Sequence, residues 1–464
     1  RINFHKCDLV PININSDSAN IFAQVMGCKL GSFPIRYLGA PLHYNKLRKE
    51  DLQPVVEKII KRGAGWRGRL LSFGKRLILV QSCLASISSY LMGIIKFPKW
   101  AINLINSQMA HCFWDNYEGH HKYHLASWGL LTQKKQYGGM GIPNIADMNL
   151  CLLAAWVDKY QRGEQKIWKK IVDAKYRTSN PNILSCPESN AYSPFWKGVL
   201  WAAKAAKMGY QWKVGNGRKA KFWEDHWFGS CSLSIQFWEL YSIANEHNKT
   251  IAEVWDGSNL KISFRRCVDN RLLHLWFDLL SIAQSVILND EDDAIIWKLE
   301  HNGRYSVRSL YAMVNFKGIT HVHVPKIWQL HVPPNIHIFL WLLARDKLLV
   351  RSNLCKRQHL DDLSSLFCCE KETSDHLFFD CVVAVEVWKN IHKVVGCMPQ
   401  PGFHYVADKW EKHKSLQADN MFISATLWAI WRCRNDMCFN NTRWMGVQVV
   451  LRKIAGYCNI WKIL

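Results

Sequence analysis

The sequence predicts a mainly α chain with small β-hairpins (α+β), on three observations. Apolar residues recur at helical spacing in several segments, as at Leu52, Val55, Val56, Ile59 and Ile60. Strand-like runs are few, short and broken by Pro or Gly. Asn-Gly pairs at Asn216-Gly217 and Asn302-Gly303 sit between alternating runs, which is the strongest short-range signal for a hairpin.

Taken in order, residues 1–45 hold two strand-like pieces, 6–14 and 33–42. Residues 46–115 read as helices. Segment 77–95 is apolar but carries Gln81 and several Ser, so it predicts a buried amphipathic helix rather than a membrane span. The glycine run 138–143 (GGMGIP) predicts a turn before a helix over 148–160. Its spacing fits neither the P-loop nor the dinucleotide fingerprint. Segment 210–227 predicts a hairpin, with Trp212, Phe222, Trp223 and Trp227 interleaved among Lys213, Arg218, Lys219 and Lys221. It reads as a basic aromatic surface for nucleic acid or as a half-buried packing hairpin. The polar run 244–259 and the acidic run 289–293 (NDEDD) predict surface connections, the second a solvated loop. A second hairpin is expected over 295–307, then a helix from Ser309. A loop followed by an apolar helix is expected over 328–343, further helices over 345–359, 382–394 (with Val385 and Trp388) and 421–435 (with Trp428 and Trp431 on one side), and a linker over 396–415.

At 464 residues a single core is not expected, and two to four domains are. Hydrophobic content of 49% against 21% charge fits a folded chain and excludes a disordered one. The net charge of +23 favours polyanions, nucleic acid before anionic membrane, unless it is a basic surface without a specific partner. Ten Lys or Arg stand against three acids in 46–76, among them Lys58, Lys61, Arg62, Arg67, Arg69, Lys75 and Arg76. An amphipathic basic helix pair of this kind suits a phosphate backbone; a solvated basic face is the plainer alternative. The 23 Trp are stacking partners for unpaired bases or core residues. The 16 Cys are scattered, mostly within apolar runs as at Cys83, Cys112 and Cys151, which is the usage of reduced thiols rather than of a disulfide framework. The expected compartment is nucleus or cytoplasm, with no membrane partner.

The run 367–381, FCCEKETSDHLFFDC, places Cys368, His376 and Cys381 at C-x7-H-x4-C. Thiolate and imidazole at such spacing suit tetrahedral Zn²⁺, which takes four ligands in a structural site. The fourth is open at this point: Cys369 is adjacent, although successive side chains point apart, and Cys355 and His359 stand at i and i+4. His331 and His337 read as surface or packing residues. A metal-free loop held by Leu377, Phe378, Phe379 and Trp388 is the alternative.

Around this run lie IWQLHVPPNIHIFLWLLARDKLLVRSNL, EKETSDHLFFDC and VVAVEVW, so that residues 305–391 resemble the zinc-binding domain that follows the reverse transcriptase of plant non-LTR (LINE-type) retrotransposons. WAIWRCRND resembles that family's C-terminal helix. NFHKCDLVPI and YLGAPL resemble the end of its polymerase, while FPKWAINLINSQMAHCFWD and GGMGIPNIADMNLCLL resemble its thumb and connection. The resemblance covers nearly the whole chain. It implies a palm remnant (1–45), a helical thumb and connector (46–180), a connector with the basic Trp-rich segment (181–300), the zinc-binding-like domain (305–391), and C-terminal linker and helices (396–464).

Two departures bear on function. The family's zinc pattern is C-x2-C-x7-H-x4-C, and Ser365 stands where its first Cys belongs. The family's palm aspartates, which hold two Mg²⁺, precede the NFHK block and would lie before Arg1. The pairs Asp292-Asp293 and Asp361-Asp362 lack the apolar strand–turn–strand setting of a palm. The expectation is a truncated reverse-transcriptase-derived protein with a degenerate zinc site, with non-specific RNA or DNA binding and without polymerase activity or a ribonuclease H domain of its own. A co-opted protein-interaction module, or a fragment of a longer active RNA-directed DNA polymerase, are the alternatives.

Overall fold

The computed structural model describes residues 7–37, 40–43, 48–63, 71–114, 123–162, 166–176, 183–186, 189, 191–267, 269–318, 323–396, 402–408, 410 and 417–462. It is mainly helical with three two-stranded sheets among these residues, in agreement with the expected fold class. The strands are β1 (Asp8–Leu9), β2 (Lys29–Leu30), β3 (Ile35–Tyr37), β4 (Ala40–Leu42), β5 (Tyr210–Lys213) and β6 (Ala294–Trp297). The longer helices are α1 (Ser16–Met26), α2 (Lys49–Gly63), α3 (Lys99–Trp114), α4 (Ile145–Gln161), α5 (Ile167–Tyr176), α6 (Pro194–Ala206), α7 (Asn270–Gln284), α8 (Pro334–Leu343), α9 (Val382–Val395), α10 (Gln417–Phe439) and α11 (Val447–Trp461). Their ends carry ordinary capping chemistry. Asn15 caps α1, Ser193 caps α6 with Pro194 following, and Asp269 caps α7, while Gly396 closes α9 at φ 64°. Among the described residues no helix is long and apolar enough to cross a membrane.

The chain divides into two units, each assembled from separate segments. The first takes residues 1–48, 89–98 and 146–314. Buried Asn149 of α4 ties its middle segment in: its side-chain amide donates to the carbonyls of Met92 and Ile95 and its oxygen accepts the Phe97 N–H. One core gathers α4, α6 and Trp297; a second gathers Trp212, Phe222, Trp223, Trp227, Leu240, Ile251 and Trp255 against α7. The aromatic residues of 210–227 are therefore core. The 244–259 run is likewise not merely a surface connection, since Ile251, Val254 and Trp255 are buried.

Neither expected Asn-Gly hairpin forms. β5 pairs antiparallel with β6, Tyr210 opposite Trp297 and Lys213 opposite Ala294. The loop after β5 wraps around Asp293 instead. The Asp293 carboxylate accepts backbone N–H groups from Gly215 (2.7 Å), Gly217 (2.8 Å), Lys219 (2.8 Å) and Ala220 (3.2 Å). Gly217 sits at φ +67°, where its Cβ-free backbone also passes Ala252 and Leu288. Four charge-assisted bonds outcompete a local return strand. They also correct the reading of 289–293 as a solvated loop, since Asp293 is only 6% exposed. After β6, Asn302-Gly303 turns the chain directly towards a helix at Val307–Val314.

The second unit takes residues 49–88, 99–145 and 315–464. Here α2 packs on α3, and α8 crosses the short helix Phe73–Ile78 at Gly74, where a Cβ would lie 2.7 Å from Pro334. The helix expected over 77–95 is broken, with a π-helical stretch at Leu79–Leu84. The glycine run is a turn as expected, and the Gly138 carbonyl accepts both Trp341 Nε1 (2.8 Å) and Arg345 Nη2 (2.7 Å). The helix expected over 345–359 shrinks to Arg351–Leu354. Asp346 adopts φ 49°, outside the helical region, and buried Asn353 donates to its carbonyl and to that of Leu348. The 396–415 linker contains a helix, Phe403–Asp408, with Phe403, Val406, Ala407 and Trp410 buried.

Candidate metal centre

The Cys/His loop opens on a tight return. Ser364 bridges Lys371, the Ser365 N–H donates to the Glu370 carbonyl (2.7 Å), and the Glu372 N–H donates to that of Leu363 (2.8 Å). This return holds Cys368 near its tip. The chain then enters a π-helical turn, His376–Asp380, closed by the Cys381 N–H on the His376 carbonyl (2.8 Å). Such i→i+5 turns are rare and concentrate at functional sites. Cys381 immediately caps α9. Beneath the turn, Leu377, Phe378 and Phe379 are buried, and Trp388 donates its indole N–H to the Phe378 carbonyl (2.7 Å).

These elements bring Cys368, His376 and Cys381 together. Cys368 Sγ lies 3.0 Å from His376 Nε2 and 3.8 Å from Cys381 Sγ. Two sulfurs bound at about 2.3 Å to one tetrahedral ion stand about 3.8 Å apart, so this pair is at ligand spacing. The shorter S···N distance is that of a thiol hydrogen-bonded to the ring, a proton that a metal displaces. The other imidazole nitrogen, Nδ1, faces Glu370 Oε2 at 3.3 Å. A carboxylate behind a ligating histidine is the usual outer-shell arrangement, fixing ring orientation and tautomer. Burial pushes the Cys381 thiol up, with the Cys368 thiol adding to it, while the Val383 and Ala384 N–H groups at the start of α9 pull the other way. The donor set fits zinc, and the cluster is compatible with a zinc site.

Among the described residues no fourth Cys, His, Asp or Glu joins the cluster. Ser365 is buried, and its hydroxyl accepts the Phe367 N–H (3.2 Å), serving the turn. Cys369 is exposed. Cys355 and His359 do not share a helical face, because the helix ends at Leu354; Cys355 is exposed and the His359 side chain, 89% exposed, stands by Asp361.

The basic candidates divide. Lys58, Lys61 and Arg62 are exposed on α2, and Lys75 is exposed nearby in sequence. Arg76 is buried, its Nε donating to the Leu71 carbonyl (3.0 Å), so it is not a surface phosphate contact. Arg67 and Arg69 lie outside the described residues. Lys213 and Arg218 are exposed. Lys219 pairs with Asp292 (2.6 Å), and Lys221 with Glu224 (3.2 Å) and Asn248 (2.8 Å).

Sequence reasoning missed Glu370, Glu372 and Arg434. Glu372 is wholly buried and forms an ion pair with Arg434 of α10 (Oε1–Nη2 2.7 Å). Both lie in quoted motifs, EKETSDH and WAIWRCRND, but nothing in either motif announces a partner 62 residues away.

Comparison with known proteins places this geometry. Residues 305–388 match the family described as zinc-binding in reverse transcriptase, and the chain carries that domain there. Over 377 residues, 78% of the chain, it is 22% identical to an Arabidopsis thaliana protein named "Putative ribonuclease H protein". The chain spans 59% of that relative's length.

Proposed function

We propose that this is a retrotransposon-derived protein of the non-LTR, LINE type, which holds Zn²⁺ through Cys368, His376 and Cys381 and binds RNA or DNA without sequence preference. The observation that carries the reading is the convergence of those three side chains, with Glu370 behind the histidine, inside the matched zinc-binding segment. Purified protein is expected to contain near-stoichiometric zinc. A folded domain free of zinc after growth with the metal refutes the metal half of the reading.

The nucleic-acid half rests on the exposed Lys58, Lys61 and Arg62 of α2 and on the +23 net charge. Binding is expected to weaken steeply with salt, since phosphate contacts release counterions. Replacing any one of the three by Ala is expected to flatten the log–log salt slope by about 0.9. Salt-independent binding counts against it. We assign no polymerase chemistry to these residues: Asp292 is engaged by Lys219, Asp293 by the 215–220 loop, and Asp362 by Arg351 and Ser364. Extension of a primed RNA template with Mg²⁺ and dNTPs would overturn that.

A protein-interaction role is the second reading. It is favoured by α1, where Ile21, Phe22, Val25 and Met26 are exposed together on one helix. Pull-downs that retain a protein partner, with no affinity for nucleic acid, would select it.

A further inference from the structure

The matched zinc-binding segment ends at residue 388. The loop that carries Cys368 is nevertheless held from α10, which starts at Gln417. Arg434, 3% exposed, grips Glu372 with two prongs, Nη2 to Oε1 (2.7 Å) and Nε to Oε2 (3.1 Å). Glu372 is the far end of the return that presents Cys368. Its Oε1 also accepts the Arg351 N–H (2.8 Å), and its carbonyl accepts the Ser352 N–H (3.1 Å). One helical turn earlier on α10, Trp431 stands under the Arg434 guanidinium (5.4 Å) and packs with Phe378 (6.3 Å) and Phe339 (6.2 Å). Phe378 belongs to the π-turn that begins at His376. Two residues of α10 thus reach both arms of the metal site.

We infer that Arg434 is a positioning residue for the metal centre. Through Glu372 it fixes the 363–372 return, and so Cys368, against the His376–Asp380 turn, and the working metal-binding unit extends from the matched segment through α10. The geometry requires arginine. A planar fork engages both carboxylate oxygens, whereas lysine offers one point contact. An unpaired Glu372 buried there would pull away towards water. The inference rests on the zinc reading only for its metal readout.

The test uses the full chain with R434K, R434M and the apolar pair E372M/R434M. Zinc affinity is measured by competition with a chromophoric chelator, Co²⁺ substitution reports thiolate ligation, and amide exchange is followed in the metal-free protein. R434K is expected to keep the exchange pattern of α4 and α6, to lose protection at the Ser365 and Glu372 amides, and to bind zinc about 10- to 100-fold more weakly, with a weaker thiolate-to-cobalt band. Should R434M fail to fold, the double variant, whose buried charges are both gone, is read in its place and is also expected to bind zinc weakly. Wild-type affinity and wild-type exchange in R434K and in the double variant overturn the inference. A wild-type chain that takes up no zinc removes the zinc reading, yet selective loss of protection in R434K still upholds the positioning role. Normal zinc binding with no change in R434K removes the positioning role alone.

Discussion

Two loops of this chain are each organised by one buried carboxylate, and the two are compensated in opposite ways. Glu372, in the Cys/His loop, meets a guanidinium and one backbone N–H. Asp293, beneath the 215–220 loop, meets four backbone N–H groups. The first is an ion pair between two side chains, and removing either member strands the other. The second is a nest of backbone dipoles around one anion. The Cys/His loop is therefore sensitive at two positions distant in sequence, and the 215–220 loop at one.

That contrast is sharpest at Asp293. Asp293→Ala leaves four N–H groups without their acceptor in a buried setting, and is expected to cost about 3–5 kcal/mol. Urea unfolding followed by tryptophan fluorescence checks it, because Trp212, Trp223 and Trp227 lie in the adjoining core. A loss under about 1 kcal/mol would mean that water replaces the carboxylate and that the loop is held by its neighbours. At the candidate metal site, substitutions of residues 365 and 370 are expected to act on zinc affinity. Ser365→Cys supplies a thiolate at the position where the resemblance expects the first ligand. Its expected gain in zinc affinity exceeds the about 10- to 100-fold that an outer-shell partner is worth, as measured by chelator competition. An unchanged affinity would show that the return at Ser365 points away from the ion. The smallest effect is expected of Glu370→Gln, since that side chain is 78% exposed where it meets His376. A loss of about tenfold in zinc affinity is expected, with no change in unfolding midpoint.

The sequence made the Cys/His cluster legible because it is local: one return and one turn bring Cys368, His376 and Cys381 together within fourteen positions. The helices followed from apolar spacing for a similar reason. What escaped was long-range. Asn216-Gly217 has the composition of a hairpin tip, but the acceptor that decides its conformation, Asp293, lies 76 positions downstream of Gly217. The helix expected over 345–359 breaks at its start on Asp346, whose carbonyl and carboxylate are both taken by Asn353. Arg76 looked like its basic neighbours and proved to be buried, a difference that periodicity in so short a helix does not reveal. Cys355 and His359 were candidates only while a continuous helix joined them.

The Ser365 hydroxyl accepts the Phe367 N–H, so the return keeps its internal bond without a sulfur at that position. Serine and cysteine differ by one atom, oxygen for sulfur. The return therefore holds its shape through that hydroxyl and needs no bound ion at residue 365 to do so. On that view the loop is a socket whose walls stand by themselves, and an ion would fill it rather than build it.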